Sequence, residues 1–147
     1  MAHQTLRTLI EHGACDRPAI VDPDAPFTLS YRDLGDQVDR LAGQLAASGI
    51  RHTDRVAIAL PNGVPAIVAT LAASCVGTAA PLNPAYTRDE FRFYLGDTSA
   101  AALLVLPSGP LAAVQAAVET QTRVLIVDAA SSVVRLDESV SPASWTP

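Results

Sequence analysis

The 147-residue sequence predicts an α/β fold, in which a mainly parallel sheet of about four strands is flanked by helices and preceded by an N-terminal β-hairpin. Mostly apolar runs at 55–60, 78–82, 101–106 and 123–127 are continuous rather than alternating, which is typical of strands covered on both faces. Segments with helical periodicity separate these runs. Strands and helices that alternate at this spacing form βαβ units with right-handed crossovers.

The segment before the first buried strand begins with a predicted short helix, Thr5–His12, which ends at Gly13. Its apolar face holds Leu6, Leu9 and Ile10.

A hairpin is predicted next, because Ala19–Val21 and Phe27–Leu29 are β-prone runs around a turn rich in Pro and Asp. The turn explains Asp22 and Asp24 without a pair of catalytic carboxylates.

A long amphipathic helix between Ser30 and Gly49 has clear start and stop signals. Ser30 is a good N-cap, Asp33 can accept hydrogen bonds from first-turn amides, and Gly49 terminates the helix. Leu29 and Leu34 are placed as a hydrophobic staple. The predicted packed face repeats at helical spacing: Leu34, Val38, Leu41 and Leu45.

The helix predicted at Val64–Val76 is apolar almost all round, so we expect it to be buried or covered, with Gly77 at its end. Cys75 in this helix is interpreted as a small buried side chain rather than a nucleophile, because no His accompanies it in the pattern of a base. Cys15 and Cys75 are expected to be reduced thiols.

Two further helices follow. Thr87 and Glu90 form a predicted capping box, Tyr86 and Phe91 the staple, and Gly96 the end of the first. Its packed face is predicted to comprise Phe91, Tyr94 and Leu95. The segment 108–110 opens the second, whose inward residues are predicted to be Leu111, Val114 and Val118.

The periodic pattern decays after Asp128. We therefore predict an α/β subdomain at 1–128 and an extended arm or linker at 129–147, with one extended piece at Val133–Leu136.

Composition excludes several functions. The net charge is −5 and every basic residue is Arg, which argues against nucleic acid because nucleic acid demands clustered positive charge. The lack of Lys also removes a Schiff base and a phosphate-loop lysine. No apolar run reaches the roughly 18 residues that span a bilayer. The start of the sequence lacks the pattern of a secretory signal, so we expect a cytoplasmic location.

No residue is assigned a catalytic, cofactor-binding or metal-binding role. His3, His12 and His52 are too far apart for metal-ligand spacing and are interpreted as surface residues. The segment 61–63 contains a single glycine, not the triplet that cradles a pyrophosphate, and a plain turn is favoured over an anion site. Ser108 lacks the flanking pattern of a nucleophile elbow.

The order of the motifs carries a resemblance. Ser30-Tyr31-Arg32-Asp33-Leu34 starts the long helix, Leu60-Pro61-Asn62 follows the first buried strand, and the segment 72–84 reads AASCVGTAAPLNP. From Leu6 to about Asp128 the chain resembles the amino-terminal portion of the adenylate-forming ligases, the AMP-binding superfamily of acyl-CoA synthetases, luciferases and peptide-synthetase adenylation domains. The segment 80–95 is most similar to the oxalate–CoA ligase branch.

The resemblance implies an enzyme that converts a carboxylate and Mg·ATP to an acyl-adenylate and passes the acyl group to CoA. The phosphate loop with its Lys, the adenine-binding aromatic stretch, the ribose-binding Asp, the hinge and the carboxy-terminal catalytic Lys of that family cannot be placed on this sequence. It therefore implies a truncated piece of a full enzyme. We expect this chain alone to bind no ATP, Mg2+ or CoA and to be inactive.

Two consequences follow for partners. The family packs this unit against the remainder of the ligase, so we expect the isolated chain to expose an apolar face and to self-associate. The alternative is a self-contained α/β binding or interaction module without catalysis, with Asn62 and Asn83 as polar groups at strand ends near a sheet crevice.

Overall fold

The computed structural model describes residues 5–13, 15–22, 27–129 and 133–137. The helices in these residues are α1 (Leu6–Glu11), α2 (Tyr31–Ala47), α3 (Val64–Val76), α4 (Arg88–Thr98) and α5 (Leu111–Glu119). The strands are β1 (Pro18–Asp22), β2 (Phe27–Ser30), β3 (Arg55–Ile58), β4 (Thr78–Pro81), β5 (Ala102–Val105), β6 (Arg123–Asp128) and β7 (Arg135–Leu136).

The predicted fold class is confirmed. The main sheet has the order β4-β3-β5-β6-β7, in which the first four strands are parallel and β7 is antiparallel to β6. Strands β1 and β2 pair as the predicted antiparallel hairpin, whose turn at 23–26, including Asp24, lies outside the described residues. The sheet therefore gains a fifth strand beyond the four that the apolar runs indicate.

The continuous apolar strands are covered on both faces. Val56, Ile58 and Leu104 pack in one cluster with α2 and α3, whereas their chain neighbours Ala57 and Leu103 pack in a second cluster with α4 and α5. Because successive side chains of a strand point to opposite faces, each of these strands must be apolar throughout.

The predicted helix starts are confirmed. The side chains of Ser30 and Thr87 each accept a hydrogen bond from the backbone three residues on, and Thr87 with Glu90 completes a capping box. Tyr86 lies edge-on against the buried ring of Phe91, with 5.8 Å between ring centroids, as the staple requires. Gly49 follows the last turn of α2 with a φ of 95°, a conformation that favours glycine.

The end predicted for α4 is wrong. The helix runs through Gly96 to Thr98 and ends where Ser99 adopts the left-handed conformation, with φ 48° and ψ 47°. The Ser99 N–H then donates to the Gly96 carbonyl, and the Ala100 N–H donates to the Leu95 carbonyl. A serine thus takes the backbone position that glycine usually holds at a helix end.

The face predicted for α5 is confirmed at Val114 but wrong at Leu111 and Val118. Leu111 and Val118 are 51% and 72% exposed, whereas the buried residues are Ala113, Val114, Ala116 and Ala117. The buried face consists of three alanines and Val114, whereas Leu111 and Val118 point away from the sheet. In α1, Leu6 and Leu9 are likewise about half exposed, and only Ile10 of the predicted face packs against the core.

Gly77 ends α3 at a point of close backbone approach. A Cβ atom at Gly77 would lie 2.7 Å from the carbonyl oxygen of Asp54 and 3.0 Å from that of Arg51. The same Asp54 carbonyl accepts a hydrogen bond from the Thr78 N–H at 2.9 Å, which sets β4 beside β3. The contact, rather than an unusual φ, requires glycine here.

Within the extended piece predicted near 133–136, Arg135 and Leu136 form strand β7. We call residues 133–137 the strap. Its Val134 and Leu136 are buried against α2, and the Asp137 N–H donates to the Ile126 carbonyl of β6. The division into 1–128 and 129–147 stays a prediction, and residues 138–147 lie outside the described residues.

The two edges of the main sheet differ. Strand β4 pairs with β3, and no described residue pairs with its other side. At the opposite edge, the backbone N–H groups of Val134 and Leu136 donate to side-chain oxygens of α2. One edge is thus open within the described structure and the other is covered.

Candidate functional site

The sheet has a topological switch point between β3 and β5. The chain leaves β3 through α3 toward β4 on one side, and leaves β5 through α5 toward β6 on the other. Helices α3 and α5 pack on opposite faces, so the carboxyl ends of β3 and β5 open into a crevice between them. In open α/β sheets, ligands bind at such a crevice.

Two loops line this crevice. Pro61, Asn62 and Gly63 follow β3 and are exposed, and the turn 106–109 follows β5. The second turn is tight: the Gly109 N–H donates to the Leu106 carbonyl at 2.8 Å, and a Cβ at Gly109 would lie 2.8 Å from that oxygen.

Both helices that start at the crevice lack a side-chain cap. Gly63 precedes α3 and Pro110 precedes α5, and neither offers a capping hydrogen bond, whereas α1, α2 and α4 are all capped by Ser or Thr. The first amides of a helix carry partial positive charge. Uncapped amides alone do not define a binding site, because every helix has such amides in its first turn.

Groups for acid–base or nucleophilic chemistry are missing from these loops. The segments 59–63 and 106–110 contain no acidic, basic, imidazole or thiol side chain, and Ser108 is the one hydroxyl. A general acid or base must reach the reacting atom within hydrogen-bond distance. These two loops therefore hold no carboxylate, amine, imidazole or thiol that could act as a general acid or base.

Asn83 stabilises the turn that follows β4. Its Oδ1 accepts from the Ala85 N–H at 2.9 Å, and its carbonyl accepts from the Tyr86 N–H. Asn62 is exposed in the loop after β3. Since β3 and β4 are parallel neighbours, both asparagines lie at the carboxyl edge of the sheet, as predicted.

The histidine predictions hold where they can be examined. His12 and His52 are exposed, while His3 lies outside the described residues. Within the described ranges, no group of three or more His, Cys, Asp or Glu side chains is placed to hold a metal ion. None of the helices in these ranges has the length and apolar character needed to cross a bilayer.

The interpretation of Cys75 as a buried side chain is wrong. Cys75 is exposed, as is Cys15. It lies in the last turn of α3, on the side where the Arg7 and Asp39 charges act on it rather than on the side that faces the sheet. Partial desolvation raises the pKa of its thiol, Arg7 opposes that shift and Asp39 adds to it. A raised pKa disfavours the thiolate, so the residue has no sign of an activated nucleophile.

A separate open depression of about 500 Å3 lies between the end of α1 and the start of α2. It is lined by Gly13, Arg17, Pro18 and Tyr31. Gly13 packs directly on the Tyr31 ring, where a Cβ would lie 2.4 Å from a ring carbon. The depression offers a guanidinium and a phenol but no carboxylate or imidazole among its lining residues.

The sequence did not lead us to predict the roles of Gln37 and Gln44, whose side-chain oxygens accept hydrogen bonds from the strap. A signal was present, because both fall on the helical stripe that also holds Leu34, Val38, Leu41 and Leu45. A polar residue at a core position of a helix needs a buried partner.

Known proteins resemble the chain in sequence and in structure. Residues 10–147 match the model of the AMP-binding enzyme family. A probable CoA ligase of Humulus lupulus is 43% identical over 117 residues, which are 77% of this chain and 22% of that protein. The oxalate–CoA ligase of Arabidopsis thaliana is 38% identical over 122 residues, which are 80% of this chain and 24% of that protein.

The fold agrees with these matches. The crystal structure of apo MatB from Rhodopseudomonas palustris superposes with a TM-score of 0.68 at 28% identity, over 77% of this chain and 22% of that one. The chain thus spans about a quarter or less of the length of these relatives. Together with the family match over nearly the whole sequence, they show that the chain belongs to the AMP-binding enzyme family.

Proposed function

We propose that this chain is the amino-terminal part of an ATP-dependent, AMP-forming acid–CoA ligase. The observation that carries the proposal is its identity of 43% and 38% to two CoA ligases, each over more than three quarters of the chain. In such an enzyme a carboxylate attacks the α-phosphate of ATP and releases pyrophosphate. The thiol of CoA then displaces AMP from the acyl-adenylate and forms the thioester.

The role of the described residues in this reaction is structural. The crevice loops hold no acid, base or thiol, so ATP, Mg2+ and CoA would be bound chiefly by other parts of the enzyme. We accordingly propose that the 147-residue chain alone is inactive. Calorimetric titration with Mg·ATP tests this: no appreciable heat is expected, and clear binding would favour the alternative, a self-contained binding module.

For the substrate we propose a small carboxylic acid of the oxalate type. Oxalate–CoA ligases of Arabidopsis thaliana and Saccharomyces cerevisiae are 38% and 35% identical to the chain over aligned stretches. A role in fatty-acid metabolism is a second proposal, which the names of these relatives do not support.

Extending the reading frame past Pro147 tests the activity. We expect a Ser/Thr/Gly-rich loop with a Lys downstream, and we expect the product of the whole frame to release pyrophosphate when given oxalate, ATP and CoA. A stop codon directly after Pro147, or a complete product that releases no pyrophosphate with any acid in a panel of mono- and dicarboxylates, would overturn the proposal.

Self-association of the isolated chain also stays a proposal. Phe93, Leu111 and Val118 are more than half exposed on α4 and α5, and apolar patches left open tend to find partners. Light scattering across a concentration series tests it, and a monomer at every concentration would contradict it. The cytoplasmic location is a prediction that cell fractionation can check.

A further inference from the structure

The strap is held on both sides by hydrogen bonds. On one side it pairs with β6, where Leu136 lies opposite Val127 and the Asp137 N–H donates to the Ile126 carbonyl at 2.8 Å. On the other side, the Val134 N–H donates to Gln37 Oε1 at 3.0 Å and the Leu136 N–H donates to Gln44 Oε1 at 2.9 Å. Residues two apart in a strand direct their N–H groups to the same side, so both glutamines meet one edge.

The two glutamines are seven residues apart, or about two turns of α2. Their amide oxygens accept hydrogen bonds from the backbone N–H groups that would otherwise pair with a further strand. Such cover satisfies backbone groups that an edge strand otherwise leaves unpaired.

The glutamine–strap hydrogen bonds lie in a largely buried environment. Gln37 is 6% exposed and lies within the apolar stripe of α2, where a polar side chain is costly unless it is hydrogen-bonded. Val134 and Leu136, whose N–H groups donate to the glutamine oxygens, are themselves 1% and 8% exposed. Helix α2 thus contacts both the apolar side chains and the backbone N–H groups of these two residues.

We infer that Gln37 and Gln44 form a clasp that recognises the extended backbone of the strap, and that the strap docks and detaches as a local unit. The β-ladder that holds the strap covers only two residues, whereas β3, β4 and β5 are each four residues long within the sheet. Segments with few ladder bonds open at lower free energy than the core. The clasp supplies the remaining hold and fixes the register.

Amide hydrogen exchange on the whole 147-residue chain, read residue by residue by NMR, tests this inference. The Leu136 amide should exchange faster than the Leu103 amide of β5 but remain protected. In Gln44→Met, which keeps the side-chain volume and loses the acceptor, Leu136 should exchange about fivefold faster or more, with Leu103 unchanged. Gln37→Met should do the same at Val134.

Two variants separate the clasp from general packing. Gln44→Glu keeps an acceptor oxygen and should preserve the protection of Leu136. Gln115→Met alters a half-buried glutamine of α5 on the opposite face and should leave the strap amides unchanged. If Gln37→Met does not fold, the half-buried Gln44 decides the matter.

The inference is overturned if Leu136 exchanges at the wild-type rate in Gln44→Met. It is overturned equally if the strap amides exchange in step with Leu103 in the wild-type chain, since the strap would then open only with the whole fold.

Discussion

Replacing Gly77 with alanine should destabilise the chain through one backbone contact. The new Cβ would lie 2.7 Å from the Asp54 carbonyl oxygen, closer than real Cβ atoms come to other atoms, and 3.0 Å from that of Arg51. Neither carbonyl oxygen can move away without weakening a backbone hydrogen bond. The Asp54 carbonyl accepts from the Thr78 N–H at 2.9 Å, and the Arg51 carbonyl accepts from the Asp54 N–H at 2.9 Å.

The magnitude follows from two opposing terms. Overpacking against atoms that cannot move freely costs about 1–3 kcal/mol. The lower backbone entropy of alanine in the unfolded chain returns about 0.4–1 kcal/mol. We therefore expect Gly77→Ala to lose about 1–2 kcal/mol of unfolding free energy. For a urea slope of about 2 kcal/mol per molar, the midpoint should fall by roughly 0.5–1 M.

Gly43 provides a matched control within α2. A Cβ built there meets no atom within 4 Å, and the residue lies inside the helix. Alanine should therefore stabilise the chain by about 0.5–1 kcal/mol. Urea unfolding followed by circular dichroism at 222 nm measures both variants. The reasoning is refuted if Gly77→Ala is as stable as wild type, or if the two substitutions shift the midpoint in the same direction.

Three further outcomes are expected. Thr87→Ala removes the capping box of α4 and should cost about 0.5–2 kcal/mol in the same assay, whereas Thr53→Ala in an exposed turn should stay within about 0.5 kcal/mol. Hydrogen bonds from the Thr87 backbone N–H and hydroxyl lower the pKa of Glu90, so its contribution is present above the unfolded pKa of about 4.3 and lost as pH falls through the folded value. Wild type and Glu90→Gln should therefore converge in stability in acid, and an NMR titration giving Glu90 a normal pKa would contradict this. In a Cys15→Ser variant, a thiol reagent should label Cys75 in the folded chain, but more slowly than a free thiol at neutral pH because desolvation raises its pKa; labelling only after unfolding would show that the residue is buried.

Local chemistry explains what could be predicted from the sequence. Thr87, Glu90 and Ser30 act through atoms within three residues of themselves, so their capping roles follow from spacing alone. The buried strands could also be predicted from the sequence, because a strand covered on both faces must be apolar at every position.

The predictions that proved wrong concern residues whose burial or backbone conformation depends on the tertiary structure around them. Leu111 and Val118 were expected inside because they share helical spacing with Val114, but the sheet packs against Val114 and three alanines of α5. Cys75 follows the apolar pattern of α3 yet faces the α1 side, which periodicity cannot reveal in a helix that is apolar all round. Gly96 was predicted to end α4 because glycine is common at helix ends. The helix instead ends at Thr98, and Ser99 adopts the left-handed conformation.

The candidate site was predictable in part. The alternation of strands and helices predicts a crevice, and Asn62 lies at its mouth as expected. The clasp was not predicted, because Gln37 and Gln44 bind a segment about 92 to 97 residues away in the sequence. Long-range pairs of this kind become visible only when the fold brings them together.

The unequal edges of the main sheet limit how molecules of this chain could polymerise. Fibril growth by strand addition needs two receptive ends on every subunit. Here the glutamines already cover one edge of the main sheet, and of its two edge strands only β4 remains receptive within the described residues. If two molecules paired through β4, neither would have an open edge left in its main sheet. Association by this route would therefore stop at a dimer.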